Sequence, residues 1–338
     1  LISSGEKVLI VVDQFEELFR NSTDDVRYNN PEDSSKFAGL LENAVRQKGS
    51  DLYVIIIVRS DFVGECAGFH GLIEMMNNSN FLVPRMTWEN YKSVIENPVK
   101  AAGATIDPKL VVTILNDLGD QPDQLPVLQH LMMRTFTFWQ EHGGETRPID
   151  ITDYNAVGTI TGAISRHADE AYNELSEEGK DICRRLFKAI TGKGSDNRGI
   201  RHPLTFGALK TVVQCSEQDL RDVIEKFRIP ARSFIIPRYG VPLRDNSVID
   251  LSHESIMRLW GRLKEWIDDE AASVRMYRRL SEASAMYQQG KTTLLKNPDL
   301  QLAINWREKQ KPTVKWAERY DPAFERAMVY LRTSEKAW

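Results

Sequence analysis

Hydrophobic spacing along the chain changes character several times. Val8 to Val12 reads VLIVV and Val54 to Val58 reads VIIIV. Such short unbroken aliphatic runs predict central strands of a parallel sheet, covered on both faces. Between them lie an acidic, Asn-rich loop (Asn21 to Ser34) and a helical pattern from Ser35 to Gln47. Strand, helix, strand is a right-handed crossover unit, and its two strands need further neighbours, expected from sequence upstream of Leu1.

From Trp88 the apolar positions take helical spacing, over 88–101 and 108–118 and then in a strongly apolar stretch from Leu125 to Trp139. Asn97-Pro98, Gly103 and Asp107-Pro108 punctuate them. No strand as strong as the first two is expected here, which predicts a small helical domain. Over 173–268 the pattern changes again. LSEEGKDICRRLFKAI has Ser176 as a predicted N-cap, PLTFGALKTVV is a second helix, and SEQDLRDVIEKFR is a third, capped by Ser216. Two short extended runs follow, SFIIP (233–237) and SVIDLS (247–252), joined by a loop rich in Gly, Pro, Asp and Asn. Three helices and a hairpin predict a winged helix. A helical tail, roughly 254–338, carries Trp260, Trp266, Trp306 and Trp316.

Composition narrows the chemistry. The 338 residues exceed one ordinary core. Lys plus Arg is 44 against 48 Asp plus Glu, a net charge of −4, which argues against a protein dominated by phosphate-backbone binding. Cys66, Cys183 and Cys215 are scattered, with neither a disulfide framework nor zinc spacing, so a reducing cytoplasm is expected. No apolar run approaches the roughly 20 residues of a membrane span. The chain opens on Leu1 and closes on Trp338 in a helical, charged stretch, and both ends are expected to be cuts from a longer protein.

The first chemical signal is VLIVVDQFEELF, where an apolar strand ends in Asp13 and Glu16 and Glu17 follow. Ligands of open α/β sheets sit at the carboxyl ends of the strands. A carboxylate there can hold Mg²⁺ through water, and a second acid can polarise an attacking water. This is the Walker B arrangement. The same residues also suit a plain strand end followed by a helix start, where acids complement the dipole.

The strings VVDQFEELF, VIIIVRSDF, DPKLVVTILNDLGDQPDQLPVLQHLM, GTITGAISRHADEAYNELS and VIDLSHESIMRLWGRLKEWIDDE run through nearly the whole chain. Together, in this order, they resemble the novel STAND NTPases, bacterial signalling ATPases related to apoptotic and plant-resistance nucleotide switches. The resemblance implies a fold class and an order of domains. Residues 1–87 are the C-terminal part of an α/β P-loop NTPase domain, a parallel-sheet remnant. Residues 88–172 are a helical lid, 173–268 a winged helix and 269–338 a C-terminal helical segment, the whole predominantly α. It implies ATP/ADP and Mg²⁺ as ligands of the intact parent and a homo-oligomer in its activated state. Effector and sensor domains would lie outside this stretch, with a membrane anchor downstream in some members.

Roles follow by position. Asp13 resembles the Mg²⁺-binding acid. Glu16 resembles the water-polarising acid, with Glu17 as alternate. Arg59 stands where a sensor of the terminal phosphate is found, its guanidinium suited to fork onto phosphate oxygens, although an ion pair with Asp61 would also explain it. Pro126, in Leu125-Pro126, resembles the proline packed on adenine, and also suits a helix first turn. His253 resembles a winged-helix histidine that reaches the β-phosphate of ADP, and would equally serve as a structural residue opening a helix.

The phosphate-binding loop is expected upstream of Leu1. The stretch Ala285 to Thr292, AMYQQGKT, mimics it, but its flanks are helix-forming and charged, with no strand before it. Lys291 is expected on the surface, after a helix that ends at Gly290. Three lost charge-assisted phosphate bonds, each about 1.5–3 kcal/mol, would weaken nucleotide binding at least about a thousandfold. The stretch as written is therefore expected neither to bind nucleotide tightly nor to hydrolyse it. Two other functions compete. A DNA-binding regulator is disfavoured because the third helix (216–228) carries a net charge of −1, so no nucleic-acid partner is expected. A scaffold without catalysis is disfavoured by the presence of Asp13, Glu16 and Arg59.

Overall fold

The computed structural model describes residues 7–19, 31–46, 51–119, 124–194 and 198–338. The chain divides into two compact units, 1–85 and 86–338. The molecule is predominantly helical, with small sheets, one of them a short parallel pair.

In the first unit, β1 (Val8–Val12) pairs in parallel with β2 (Leu52–Ile56), with Val8 opposite Leu52 and Val12 opposite Ile56. The crossover between them contains α1 (Pro31–Arg46), and α2 (His70–Asn78) follows β2. The helix α1 starts at Pro31, earlier than Ser35: Glu32 and Asp33, expected in the loop, occupy its first turn, where carboxylates complement the dipole. The rest of the expected loop lies outside the described residues. One sheet face covers a small core of Phe15, Leu41, Cys66 and Leu72. Burial on both faces is not what these residues show. Leu9, Val11, Tyr53, Ile55 and Ile57 are 48–56% exposed, because among the described residues α1 and α2 supply one layer against the pair.

The second unit opens with α3 (Trp88–Ala101), α4 (Pro108–Leu118) and α5 (Gln124–Glu141). Thr87 and Asn90 form a capping box on α3, and the Asp107 carboxylate accepts the Lys109 N–H at 2.9 Å to open α4. Then come α6 (Ile151–Val157) and α7 (Thr159–Asn173), separated by Gly158 at φ +104, a left-handed conformation that glycine adopts without Cβ strain.

Next is α8 (Glu177–Ile190), whose cap Ser176 accepts the Gly179 N–H at 3.1 Å. An antiparallel pair that spacing did not announce follows, β3 (Thr191–Lys193) with β4 (Gly199–Arg201). The second helix of this region begins at Phe206 rather than within PLT, because Leu204–Thr205 is a strand, β5, and Thr205 caps α9 (Phe206–Val213). Ser216 caps α10 (Glu217–Arg228). The hairpin strands are β6 (Ile235–Ile236) and β7 (Val248–Leu251), in a sheet ordered β5-β7-β6. After α11 (Ser255–Leu259) comes α12 (Gly261–Gln288), then α13 (Asp299–Gln310), α14 (Val314–Ala317) and α15 (Phe324–Lys336).

One apolar core runs from Ile95 to Ile267, and a second, smaller one from Tyr277 to Leu331. Trp260, fully buried, packs at 5.0 Å on Phe187, 5.8 Å on Phe227 and 5.4 Å on Trp266, and its Nε1–H donates to Asp169 at 3.0 Å. The phosphate-loop mimic at 285–292 is a helix end. α12 stops at Gln288, Gly290 takes φ +67, and Lys291 is exposed. Among the described residues no helix is long and apolar enough to cross a membrane.

Candidate functional site

Parallel pairing carries the ends of β1 and β2 to the same side of the sheet. The ladder continues past both strands: Ile57 N–H donates to Val12 O at 2.8 Å and Phe15 N–H to Ile57 O at 3.0 Å. Between these bonds the chain kinks at Gln14, a non-glycine residue at φ +54, a conformation costing about 1–2 kcal/mol. Gln14 N–H also donates to Asp13 Oδ1 at 2.9 Å. The kink leaves Asp13 exposed at the strand end and turns the next residues into a 3₁₀ turn, Phe15–Phe19, held by Phe15 against Phe19 and Phe69.

Within that turn Glu16 is 5% exposed, and its Oε2 accepts the backbone N–H of Arg59 at 3.4 Å. Glu17 is half-buried. The acidic turn after β1 is thereby tied to the segment after β2, and Asp13, Glu16, Glu17 and Arg59 share one end of the sheet. The Arg59 guanidinium forks onto Asp61, Nε to Oδ1 at 3.2 Å and Nη2 to Oδ2 at 2.9 Å. A shallow, mostly apolar hollow of about 470 Å³ runs along residues 7–9 and 52–55 beside Val45, and Asp13, Glu16, Glu17 and Arg59 do not line it. Among the described residues no group of three or more His, Cys, Asp or Glu side chains could hold a metal ion. A single exposed carboxylate such as Asp13 is still compatible with Mg²⁺, which takes few protein ligands and keeps its waters.

Pro126 and His253 belong to the second unit. Pro126 is half-buried in the first turn of α5, next to the exposed Leu125. His253 follows β7. Its Nδ1 accepts the Ser255 N–H at 3.1 Å and lies 3.0 Å from Ser255 Oγ. An accepting Nδ1 places the proton of the neutral ring on Nε2, which makes Nε2 the donor.

Sequence spacing missed Arg201. Its Nη1 donates to Asp250 Oδ2 at 3.0 Å and to Leu251 O at 3.4 Å, and its Nε is 3.9 Å from Glu254 Oε1, so Arg201 clasps the turn on both sides of His253. The available signal was Asp250 itself, an acid inside an apolar strand, which is 4% exposed and requires a partner. The basic residues of α10 are all engaged within the fold. Arg221 pairs with Glu217, Lys226 with Glu174, and the fully buried Arg228 donates to Pro237 O and Val241 O.

Comparison with curated proteins and with solved structures finds no match. A family profile does: the one described as Novel STAND NTPase 1 matches residues 2–293, most of the chain. The chain belongs to the Novel STAND NTPase 1 family.

Proposed function

We propose that this chain is the core of a nucleotide-dependent signalling switch, with its phosphate chemistry at the carboxyl ends of β1 and β2. The observation that carries this reading is the Glu16–Arg59 hydrogen bond, which joins the acidic turn after one strand to the basic residue after its parallel neighbour. Asp13 holds Mg²⁺ through water, and the ion when bound neutralises phosphate charge. Glu16 polarises the attacking water, with Glu17 as the alternate. Arg59 senses the terminal phosphate by exchanging the Asp61 carboxylate for phosphate oxygens, an exchange its forked guanidinium suits.

Residues 88–172 serve as the helical lid, with Pro126 against adenine. Residues 173–268 are the winged helix, supported by the three helices α8, α9 and α10, which precede the β6–β7 hairpin, and by β7 at the centre of its sheet, although the β3–β4 pair intervenes between α8 and β5. His253 donates from Nε2 to the β-phosphate of ADP, closing the switch. ATP favours an open form that assembles with further copies, each nucleotide biasing the equilibrium by its differential contacts.

The test uses the chain extended through an upstream phosphate-binding loop. His253→Ala is expected to weaken ADP at least about tenfold, the value of one charge-assisted bond, and ATP less. Glu16→Gln is expected to abolish hydrolysis and spare binding. Equal loss of both nucleotides in His253→Ala, or hydrolysis surviving both Glu16→Gln and Glu17→Gln, would overturn the assignment. Residues 1–338 alone are expected to show no micromolar affinity for ATP in a calorimetric titration.

A further inference from the structure

The long helix α12 threads both apolar cores of the second unit. Leu263 and Ile267 belong to the first, Tyr277 and Leu280 to the second. Between these pairs lies a polar waist with three consecutive acids, Asp268, Asp269 and Glu270. Charged and hydrogen-bonding groups reach it from both bodies.

From the first body, Lys193 Nζ is 2.7 Å from Asp268 Oδ1, and Lys188 Nζ, at the end of α8, is 2.6 Å from Asp269 Oδ2 and 3.5 Å from Glu270 Oε2. From the C-terminal helices, Gln310 Nε2 donates to Asp269 Oδ1 at 3.0 Å. Trp316 Nε1 and Tyr320 OH donate to Glu270 Oε1 at 2.6 and 3.0 Å. Arg319 Nη2 crosses the waist and donates to Ala189 O at 2.8 Å. Glu270 is 6% exposed, so the part of the cluster around Lys188, Glu270 and Trp316 is built into the fold, whereas the Lys193–Asp268 pair is a surface one. Burial opposes the charge of Asp269, yet the Lys188 ammonium and the Gln310 amide hold its carboxyl below the usual range. The acids lie within the family match, which ends at residue 293, whereas Gln310, Trp316, Arg319 and Tyr320 lie beyond it.

An apolar core opens cooperatively, because each buried side chain depends on its neighbours. Ammonium, carboxylate and indole N–H groups regain water when parted, so the easiest plane of separation is the polar one. We propose that residues 273–338 form a lever arm hinged at the Asp268–Glu270 turn of α12, and that the polar clasp on α8 fixes its angle. Release of the clasp, together with local opening of the helical turn at 268–270, lets the arm swing while both cores stay folded. A partner that binds the arm could thereby act on α8, and hence on the helices and hairpin built around it. This inference stands independently of the nucleotide assignment.

Hydrogen–deuterium exchange on the whole chain tests it. Lys188→Met is expected to speed exchange about tenfold or more at α14 and at the α12 waist, while amides around Trp260 and Tyr277 keep their protection. Arg319→Ala, which removes one hydrogen bond to the Ala189 carbonyl, is expected to give the same pattern more weakly and covers the case in which Lys188→Met fails to fold. Uniform acceleration across both cores, or no local change in Arg319→Ala, would overturn the lever.

Discussion

Residues 7–85 and residues 86–338 bury apolar surface to very different degrees. The first unit is a two-stranded sheet on a small core, with Leu9, Val11, Tyr53, Ile55 and Ile57 about half exposed on its other face. The second holds Trp260, Phe187, Phe227 and Phe206 at 0% exposure in a continuous helical core. The proposed Asp13–Arg59 chemistry stands on the thinner of the two. Stability and candidate catalysis are therefore carried by different parts of the chain, and substitutions in the two units should not behave alike.

The largest effect is expected at Trp260. Its replacement by alanine removes a fully buried ring, leaves a cavity among Phe187, Phe227 and Trp266, and strips Asp169 of a donor. A loss of about 3–5 kcal/mol is expected. All seven tryptophans lie in residues 86–338, so fluorescence-monitored denaturant unfolding follows this unit selectively. A loss below about 1 kcal/mol would break the comparison.

A pH effect comes next, again in the second unit. His167 is 2% exposed, its Nδ1 lies 3.2 Å from His130 Nε2, and both rings pack on Phe234. Burial, with the Arg134 charge beside it, lowers His130 to about 4. Burial, Arg134, His130 and Arg232 lower His167 to about 2. Unfolding frees both rings to protonate near 6.5, so the unfolded state binds more protons below that pH. Stability is full above pH 6.5 and falls as pH drops toward 4, by up to about 2 kcal/mol per histidine at pH 5. The midpoint of tryptophan-detected unfolding should fall between pH 7 and 5, and the slope should flatten in His167→Asn. Equal slopes would remove the pair as the cause.

Much of the helical frame was legible from sequence because it rests on local chemistry. α3 and α4 run over the predicted 88–101 and 108–118, and Ser176 and Ser216 cap the predicted helices, since a cap needs only its own next turn. β3, β4 and β5 were hidden because two or three residues carry no readable period, and the partner of β5, Ile249 for Leu204, lies far along the chain. At the site, Asp13 and Arg59 were legible as the residues that end two apolar runs. Burial of Glu16 under the Arg59 backbone was not, because it depends on the left-handed kink at Gln14. Arg201 escaped for the same reason: its partners are 49 and more residues away.

The smallest effect is the sharpest probe of the contrast. Leu9→Ser and Ile55→Thr lie on the exposed face, where the side chain already meets water in the folded state, so little transfer energy is lost. Each should change stability by no more than about 1 kcal/mol, about half the value of a fully buried aliphatic side chain. Leu41→Ala, at 7% exposure on the opposite side of the same sheet, should cost about 2–5 kcal/mol. Exchange rates of the β2 amides report on this unit and give both values in one experiment. A cost above about 2 kcal/mol for Leu9→Ser would mean that the outer face is covered in solution, and the difference between the two units would then lie in what covers the sheet rather than in how thin it is.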